Sequence, residues 1–233
     1  MKSIVITQSN YIPWKGYFDA INIADEFVFY DDMQYTRRDW RNRNKIKTKD
    51  GIKWLTVPVE AKGKYFQKIN ETKVSDPYWG KDHWATLIHN YSKARYFGDY
   101  KEIFESLYLN NKELYLSKIN YSFIKVICEI LGIKTRFTWS SEFDLKEDRT
   151  ERLVDICKKC DATDYYTGPS AKVYMNETLF LTENINIHYF DYSGYPPYNQ
   201  LHGDFIHEVS IIDLLFNEGP NASKYLKSFK NYI

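Results

Sequence analysis

The sequence predicts an α/β protein whose mostly parallel sheet starts with a Rossmann-like βαβ unit, and three features support this fold class. Short β-branched apolar runs alternate with helical patterns, which is typical of a parallel sheet covered by helices. An Asp-Gly pair interrupts the longest alternating stretch and indicates a β-hairpin. Three consecutive helical patterns form a helical middle segment. Because no long linker, repeat or low-complexity tract divides the chain, residues 1–233 are expected to form a single domain.

The βαβ unit comes first along the chain. "SIVIT", from Ser3 to Thr7, is a short β-branched run and predicts a buried strand. The loop "QSNYIPWKG" follows, and "YFDAINIA" then has apolar residues at helical spacing. "EFVFYDD" predicts a second buried strand. A strand, a crossover helix and a strand in so few residues indicate a parallel pair.

The hairpin is predicted in "WRNRNKIKTKDGIKWLTVPV", where the alternation breaks at Asp50-Gly51 and then resumes. Side chains alternate with a period of two, so one face of the first strand carries basic residues. These are Arg41, Arg43, Lys45 and Lys47. The opposite face carries Asn42, Asn44 and Ile46. Pro58 indicates that the returning strand ends there or lies at an edge.

Helical patterns continue from Pro77 to Leu131, and Gly132 is the predicted C-cap of the last helix. Beyond it, strands and helices alternate again. The predicted strands are "KTRFTWSS", "TDYYTG" and "INIHYFDY". The predicted helices are "RTERLVDICKKC" and "VSIIDLLFN".

Charge and hydropathy disfavour two classes of partner. The chain has 32 Lys and Arg against 31 Asp and Glu, so a nucleic-acid partner is not expected, because such proteins usually carry a basic excess. No apolar run reaches the roughly 18 residues of a transmembrane helix. The apolar part of "MKSIVITQSNY" is too short for a signal peptide, and we expect a cytoplasmic protein.

Four polar clusters fall on loops that follow predicted strands, where open parallel sheets bind their ligands. They are Gln8, Asn10, Tyr11 and Trp14 with Gly16; Asp31, Asp32 and Gln34; Ser140, Ser141 and Glu142; and Gly168, Ser170 and Lys172. The first loop opens a helix, and Gly16 is expected to let a ligand approach closely. A fifth polar loop, "PPYNQLH", contains Tyr198, Gln200 and His202.

Basic and aromatic residues around the hairpin favour a ligand that carries a diphosphate, although a solvated charged face is the alternative. They are Arg37, Arg38, Trp40, Arg41, Arg43 and Lys45. Arginine binds phosphate bidentately, and Trp40 could stack on a base or sugar.

The candidate catalytic acids and bases are His202, Asp31, Asp32 and Glu142. The two adjacent aspartates could hold Mg²⁺ on a phosphorylated ligand, or they could pair with nearby arginines. The histidine spacings predict no metal site, and the sequence contains no GxSxG, HExxH, P-loop or GxGxxG motif.

Long blocks of the chain resemble the WbqC-like protein family. The first is "ITQSNYIPWKGYFDAINIADEFVFYDDMQYTRRDWRNRNKIKTKDGIKWLTVPV". "WGKDHWATLIHNYSKARYF", "YYTGPSAKVY" and "PPYNQLHGDF…SIIDLLFNEGP" follow in the family's order. The family usually opens with His-Gln-Pro-Asn-Tyr, whereas this chain has Thr7 in place of the His and Ser9 in place of the Pro.

The resemblance implies a role in the biosynthesis of O-antigen and other surface polysaccharides, where nucleotide-linked amino sugars are often acylated. The first hypothesis is therefore a transferase that moves a group, expected to be acyl, to such a sugar nucleotide. The strand, loop and helix at the start also look like those of nucleotidylyltransferases, but their HxGH motif is absent. A Mg²⁺-dependent nucleotidylyl or adenylyl transferase is thus an alternative. A non-catalytic partner of glycan biosynthesis is another, and the sequence does not identify the donor group or oligomeric state.

Overall fold

The computed structural model describes residues 1–229, which contain seven strands and seven α-helices. The strands are β1 (Ser3–Thr7), β2 (Glu26–Phe29), β3 (Arg43–Thr48), β4 (Gly51–Thr56), β5 (Arg136–Trp139), β6 (Asp164–Thr167) and β7 (Asn186–Tyr189). The helices are α1 (Lys15–Asn22), α2 (Trp79–Tyr91), α3 (Phe97–Leu109), α4 (Leu116–Leu131), α5 (Arg149–Lys159), α6 (Glu177–Thr182) and α7 (Ile211–Glu218).

Five strands form a parallel sheet in the order β5-β2-β1-β6-β7, which confirms the predicted α/β class and the βαβ start. The chain builds outward from β1 to β2 and then β5. It returns to place β6 on the other side of β1 and continues outward to β7. The direction of winding therefore reverses between β1 and β6. In open parallel sheets, such a switch point leaves a crevice beyond the carboxyl ends of the two strands.

Apolar residues of the central strands pack on both faces of the sheet. In β1, Ile4 and Ile6 belong to a core cluster with residues of α5 and α6. Val5, which points the other way, belongs to a larger cluster with residues of α1, α4 and α7. This arrangement explains why the strand is a continuous apolar run, since both of its faces are buried.

The predicted hairpin is confirmed as the antiparallel pair β3 and β4. Thr48 pairs with Gly51, so the turn residues are Lys49 and Asp50. Gly51 has a φ of +102°, which favours glycine. The turn therefore lies one residue earlier than the Asp-Gly pair suggested. The face of β3 that carries Asn44 and Ile46 is buried.

The helical middle segment is confirmed as α2, α3 and α4, and Gly132 ends the last of them with a φ of +74°. The sequence did not predict α6, because a helix of six residues is too short to display a helical period. Within residues 1–229, no helix is long and apolar enough to cross a bilayer.

Candidate functional site

A cavity of about 860 Å³ lies at the carboxyl ends of β1 and β6, at the switch point of the sheet. Thr7 and Gln8 line it from the end of β1, and Thr167 and Gly168 line it from the end of β6. Its volume lies within the range of roughly 300–1,000 Å³ found for small-molecule sites. We call it the switch-point cavity.

The lining of the switch-point cavity is cationic. Arg41, Arg149 and Arg152 line it, whereas within residues 1–229 no carboxylate, imidazole or thiol belongs to its lining. Arg149 and Arg152 form no ion pair with a carboxylate of residues 1–229, and the ε nitrogen of Arg41 lies 3.5 Å from Asp39. Unpaired guanidinium groups around a concave surface attract anions.

The two arginines of α5 are positioned by the first turn of that helix. Asp148 is the N-cap and accepts two backbone hydrogen bonds of 2.8 Å, which hold the pKa of its carboxyl below the usual value. The Arg152 guanidinium donates to the Tyr30 hydroxyl at 3.3 Å and to two carbonyls before the helix. The Arg149 guanidinium lies 3.5 Å from the centre of the Tyr174 ring. Both arginines are therefore held at the cavity wall.

The loop between β1 and α1 brings further polar and aromatic groups to the cavity. Ile12 has a φ of +36°, a conformation that a β-branched residue rarely adopts. The amide of Asn44 donates to the carbonyls of Tyr11 and Ile12 at 3.1 and 3.0 Å, which holds the backbone in this conformation. The loop then presents Asn10 and Trp14 to the cavity.

Gly16 makes room for Trp14 rather than for a ligand, which corrects the expectation from the sequence. A Cβ at Gly16 would lie 2.3 Å from the Trp14 indole. The indole is packed edge to face against Tyr192 and Tyr195, with ring centres 5.4 Å apart in each pair. The Trp14 side chain is therefore held by packing at the start of α1, where it forms part of the cavity wall.

A second cavity of about 560 Å³ adjoins the first, and we call it the aromatic cavity. The two cavities share Asn10, Trp14, Trp40 and Tyr192. The aromatic cavity is further lined by Pro13, Asn44, Ser193, Gly194, Tyr195, His207 and Glu208. The four shared residues make the two spaces parts of one bipartite cleft.

The imidazole and the carboxylate among the lining residues of the cleft belong to the aromatic cavity. Burial, and to a lesser extent the charge of Lys15, lower the pKa of His207, which favours the neutral imidazole. Glu208 pairs with Lys45 at 3.0 Å. Lys15 lines neither cavity; it is buried and donates to the Pro196 carbonyl at 3.0 Å, and burial lowers its pKa to about 8. A neutral imidazole and a carboxylate can accept protons from a bound ligand.

Seven of the predicted binding residues line the switch-point cavity. They are Gln8, Asn10, Trp14, Gln34, Trp40, Arg41 and Ser170. They come from the loops after β1, β2 and β6 and from the segment before β3, as the rule for parallel sheets anticipated.

Five predicted basic residues do not line either cavity. Arg37 donates to the Ala61 carbonyl, and Arg38 is exposed with its carbonyl bound by Arg43. Arg43 lies 4.1 Å above the Trp54 ring. The others are Lys45, which pairs with Glu208, and Lys172, which lies 4.6 Å above the Tyr189 ring. The basic face of β3 is therefore divided: Arg43 and Lys45 lie outside both cavities, whereas Lys47 is buried.

Three residues that were predicted to bind the ligand belong instead to buried hydrogen-bond networks. The Tyr11 hydroxyl lies 2.8 Å from Nδ1 of His83 and is fully buried. The Tyr198 hydroxyl and the Gln200 amide donate to Oδ1 of Asp213 at 2.7 and 2.9 Å. These side chains satisfy buried polar groups and do not reach the cleft.

The two adjacent aspartates do not line the cleft. Asp31 accepts from the Ser9 backbone N–H at 2.8 Å and from the Ser117 hydroxyl, and burial raises the pKa of its carboxyl. Asp32 accepts from the Ser140 hydroxyl at 2.5 Å. In residues 1–229 no group of three or more His, Cys, Asp and Glu side chains could hold a metal ion. Neither carboxylate is therefore placed to bind Mg²⁺ on a ligand in the cleft.

The remaining candidate acid–base groups also lie outside the cleft. Glu142 accepts from the Trp139 backbone N–H at 3.0 Å. Nε2 of His202 lies 3.0 Å from the Asn90 carbonyl, so it donates there. Neither belongs to the residues that line the two cavities.

Sequence reasoning missed Arg149, Arg152, Tyr195, His207 and Glu208. The two arginines had a usable signal, because a helix that follows a strand starts at the carboxyl edge of the sheet. The other three lie in irregular segments after β7 and have no local pattern that points to the cleft.

The two departures from the family's opening motif lie at the end of β1. Thr7 lines the switch-point cavity. Ser9 is buried, and its backbone N–H donates to Asp31, a hydrogen bond that a proline at this position could not make.

Comparison with known proteins agrees with this resemblance. An uncharacterized protein of Mycobacterium tuberculosis, Rv1507c, is 48% identical over 227 residues, which cover 97% of this chain and 98% of that protein. No solved structure matches the chain. The model of the WbqC-like protein family matches residues 8–225, and the chain belongs to that family.

Proposed function

We propose that this protein is a transferase of surface-polysaccharide biosynthesis that moves a group, expected to be acyl, to a nucleotide-linked amino sugar. The observation that carries the proposal is the switch-point cavity, which combines three guanidinium groups with aromatic rings and has no carboxylate in its lining. The family's association with surface polysaccharides supports the choice of substrate.

A diphosphate fits the charge of the switch-point cavity. Arg149 offers a planar, bidentate donor, and each hydrogen bond to a charged group contributes roughly 1.5–3 kcal/mol. Arg41, which donates to Asn10, and Arg152, which donates to Tyr30 and two carbonyls, add positive charge beside it. The partly exposed rings of Trp40 and Tyr166 in the lining offer surfaces on which a nucleobase can stack. The cavity can therefore accommodate both ends of a nucleoside diphosphate.

The proton acceptor in this proposal is His207 or Glu208 of the adjoining aromatic cavity, in place of His202, Asp31, Asp32 and Glu142. The amine of the sugar attacks the acyl carbon of a thioester donor, and the carbon–sulfur bond breaks. The proton leaves the amine for the protein base and then passes to the thiolate. A Mg²⁺-dependent nucleotidylyl transfer has less support, because both adjacent aspartates are engaged elsewhere.

The proposal is tested by titration calorimetry with UDP-glucosamine, whose sugar carries a free amine, and with UDP-N-acetylglucosamine, dTDP-glucose and GDP-mannose. Wild-type protein should bind at least one of them, and Arg149→Ala should weaken that binding by roughly 10- to 100-fold, the equivalent of one charge-assisted hydrogen bond. Arg149 is suited to this test because its guanidinium stacks on Tyr174 and donates no hydrogen bond to another group of residues 1–229.

Arg43→Ala is the matched control. It removes the same charge from the hairpin surface, outside both cavities, and should leave the affinity unchanged. Equal weakening by the two substitutions would mean that general positive charge, and not the switch-point cavity, binds the ligand. Failure of every sugar nucleotide to bind would favour the non-catalytic partner.

A further inference from the structure

The aromatic cavity has a lining of a different character from that of the switch-point cavity. Rings of Trp14, Trp40, Tyr192 and Tyr195 form its walls. The polar side chains among them are short or uncharged, except for the carboxylate of Glu208. In the described part of the chain, residues 1–229, no arginine lines it.

This combination suits a pyranose ring. The apolar C–H face of a sugar packs against aromatic rings, while its hydroxyl or amino groups need polar partners around the edge. Ser193, His207 and Glu208 provide hydroxyl, imidazole and carboxylate groups in the same cavity. A carboxylate in the lining also favours a hydrogen-bond donor or a cationic amine over a phosphate.

We infer that the aromatic cavity is the subsite for the sugar ring of the nucleotide-linked sugar, an inference that rests on the proposed function. The diphosphate lies against the arginines of the switch-point cavity. The sugar then passes the wall formed by Asn10 and Trp14, which both cavities share, and enters the aromatic cavity.

The carboxylate of Glu208 is held in place for this role by the hairpin. Lys45 pairs with it at 3.0 Å, and the Lys45 ammonium lies 5.5 Å from the centres of the Trp40 and Trp54 rings. The backbone carbonyl of Lys45 also accepts from the Ser210 N–H at 2.8 Å, which ties β3 to the segment that carries His207. Lys45 is thus a positioning residue at the rim.

The opposite orientation, with the nucleobase in the aromatic cavity, makes a different prediction. In that case substitutions of His207 or Glu208 would weaken the binding of a nucleoside diphosphate as much as the binding of the corresponding sugar nucleotide. A comparison of the two ligands therefore separates the orientations.

The experiment measures Kd by calorimetry for UDP and UDP-N-acetylglucosamine, or for the matching dTDP or GDP pair if wild type prefers it. The variants are His207→Ala, Glu208→Gln and Arg149→Ala. Glu208 has 76% of its side chain exposed, so Glu208→Gln should fold normally. His202→Ala serves as the control for loss of an imidazole outside the cleft.

His207→Ala and Glu208→Gln should each lower the affinity for the sugar nucleotide by about tenfold, a typical cost of one lost hydrogen bond. The affinity for the nucleoside diphosphate should change less than twofold. Arg149→Ala should lower the affinity for both ligands by the same factor. Equal weakening of both ligands by the His207 and Glu208 variants, or no effect on either, would overturn the inference alone. Absence of any nucleotide binding by wild type would overturn the proposed function, and the inference with it.

Discussion

The buried imidazole of His83 should make the protein lose stability in mild acid. Nε2 lies 3.2 Å from the Thr56 carbonyl and therefore carries a proton that it donates there. Nδ1 lies 2.8 Å from the Tyr11 hydroxyl, which donates to the Tyr108 hydroxyl at 3.1 Å. Protonation would place a charge among the Trp79, Tyr108 and Tyr11 rings, away from water. The neutral form is therefore strongly preferred in the folded state.

The size of the effect follows from the pKa. Burial is the main cause that lowers the pKa of His83 from 6.5 to about 4, and the hydrogen bond to the Thr56 carbonyl opposes it only in part. Between these values the unfolded chain binds a proton that the folded protein does not, so this stability is present above pH 6.5 and is lost as the pH falls. Linkage gives about 2 kcal/mol lost between pH 7.5 and 5, and about 3 kcal/mol by pH 4.

The assay is urea unfolding at pH 7.5 and pH 5 for wild type and His83→Gln, whose amide can replace both hydrogen bonds without titrating. The difference in unfolding free energy between the two pH values should be about 2 kcal/mol larger in wild type than in the variant. His202→Gln should behave as wild type. The reasoning would be refuted if His83→Gln lost as much stability as wild type over the same pH range.

Three further substitutions test other parts of the structure. Gly16→Ala should destabilise the fold by roughly 1–3 kcal/mol through overpacking and should shift Trp14, which urea unfolding and tryptophan emission would measure. Asp213→Ala should cost about 3 kcal/mol or more in urea unfolding, because it leaves two tyrosine hydroxyls and an amide without their acceptor. Ser9→Pro should cost about 1–3 kcal/mol by the same measurement, because Asp31 loses a backbone donor.

Each of these substitutions has a control in the same chain. Gly98→Ala adds a methyl group to an open position of α3 and should not destabilise. Asp144→Ala removes an exposed carboxylate. Ser9→Ala keeps the backbone N–H and should cost less than Ser9→Pro. If a substitution and its control gave equal losses, the contact assigned to that residue would not explain its effect.

Local patterns were sufficient for most elements of the fold. The β-branched run of β1 and the turn before Gly51 depend on neighbours in the sequence, so they could be predicted. The helix α6 has only six residues and left no period to detect. At β3, alternation placed the basic residues opposite Asn44 and Ile46, but it could not tell that Lys47 would be buried, with hydrogen bonds to Gln200 and two carbonyls.

The candidate site was predictable only where it follows a strand end. Gln8, Asn10 and Ser170 were found because loops after parallel strands share one edge of the sheet. Tyr198 and His202 lie in an equally polar loop, yet their partners are buried groups of other elements. Sequence composition does not distinguish a polar group that binds a ligand from one that satisfies a buried partner.

The sequence by itself determined the family, the α/β class and the types of almost all elements, because these follow from motifs and from periods within a few residues. Only the tertiary structure decided that β6 returns beside β1, which places Arg149 and Arg152 opposite Asn10 and Arg41. It also decided that the segment after β7 completes a second cavity. These contacts join distant parts of the chain, and they depend on how the whole sheet is wound and not on any local preference.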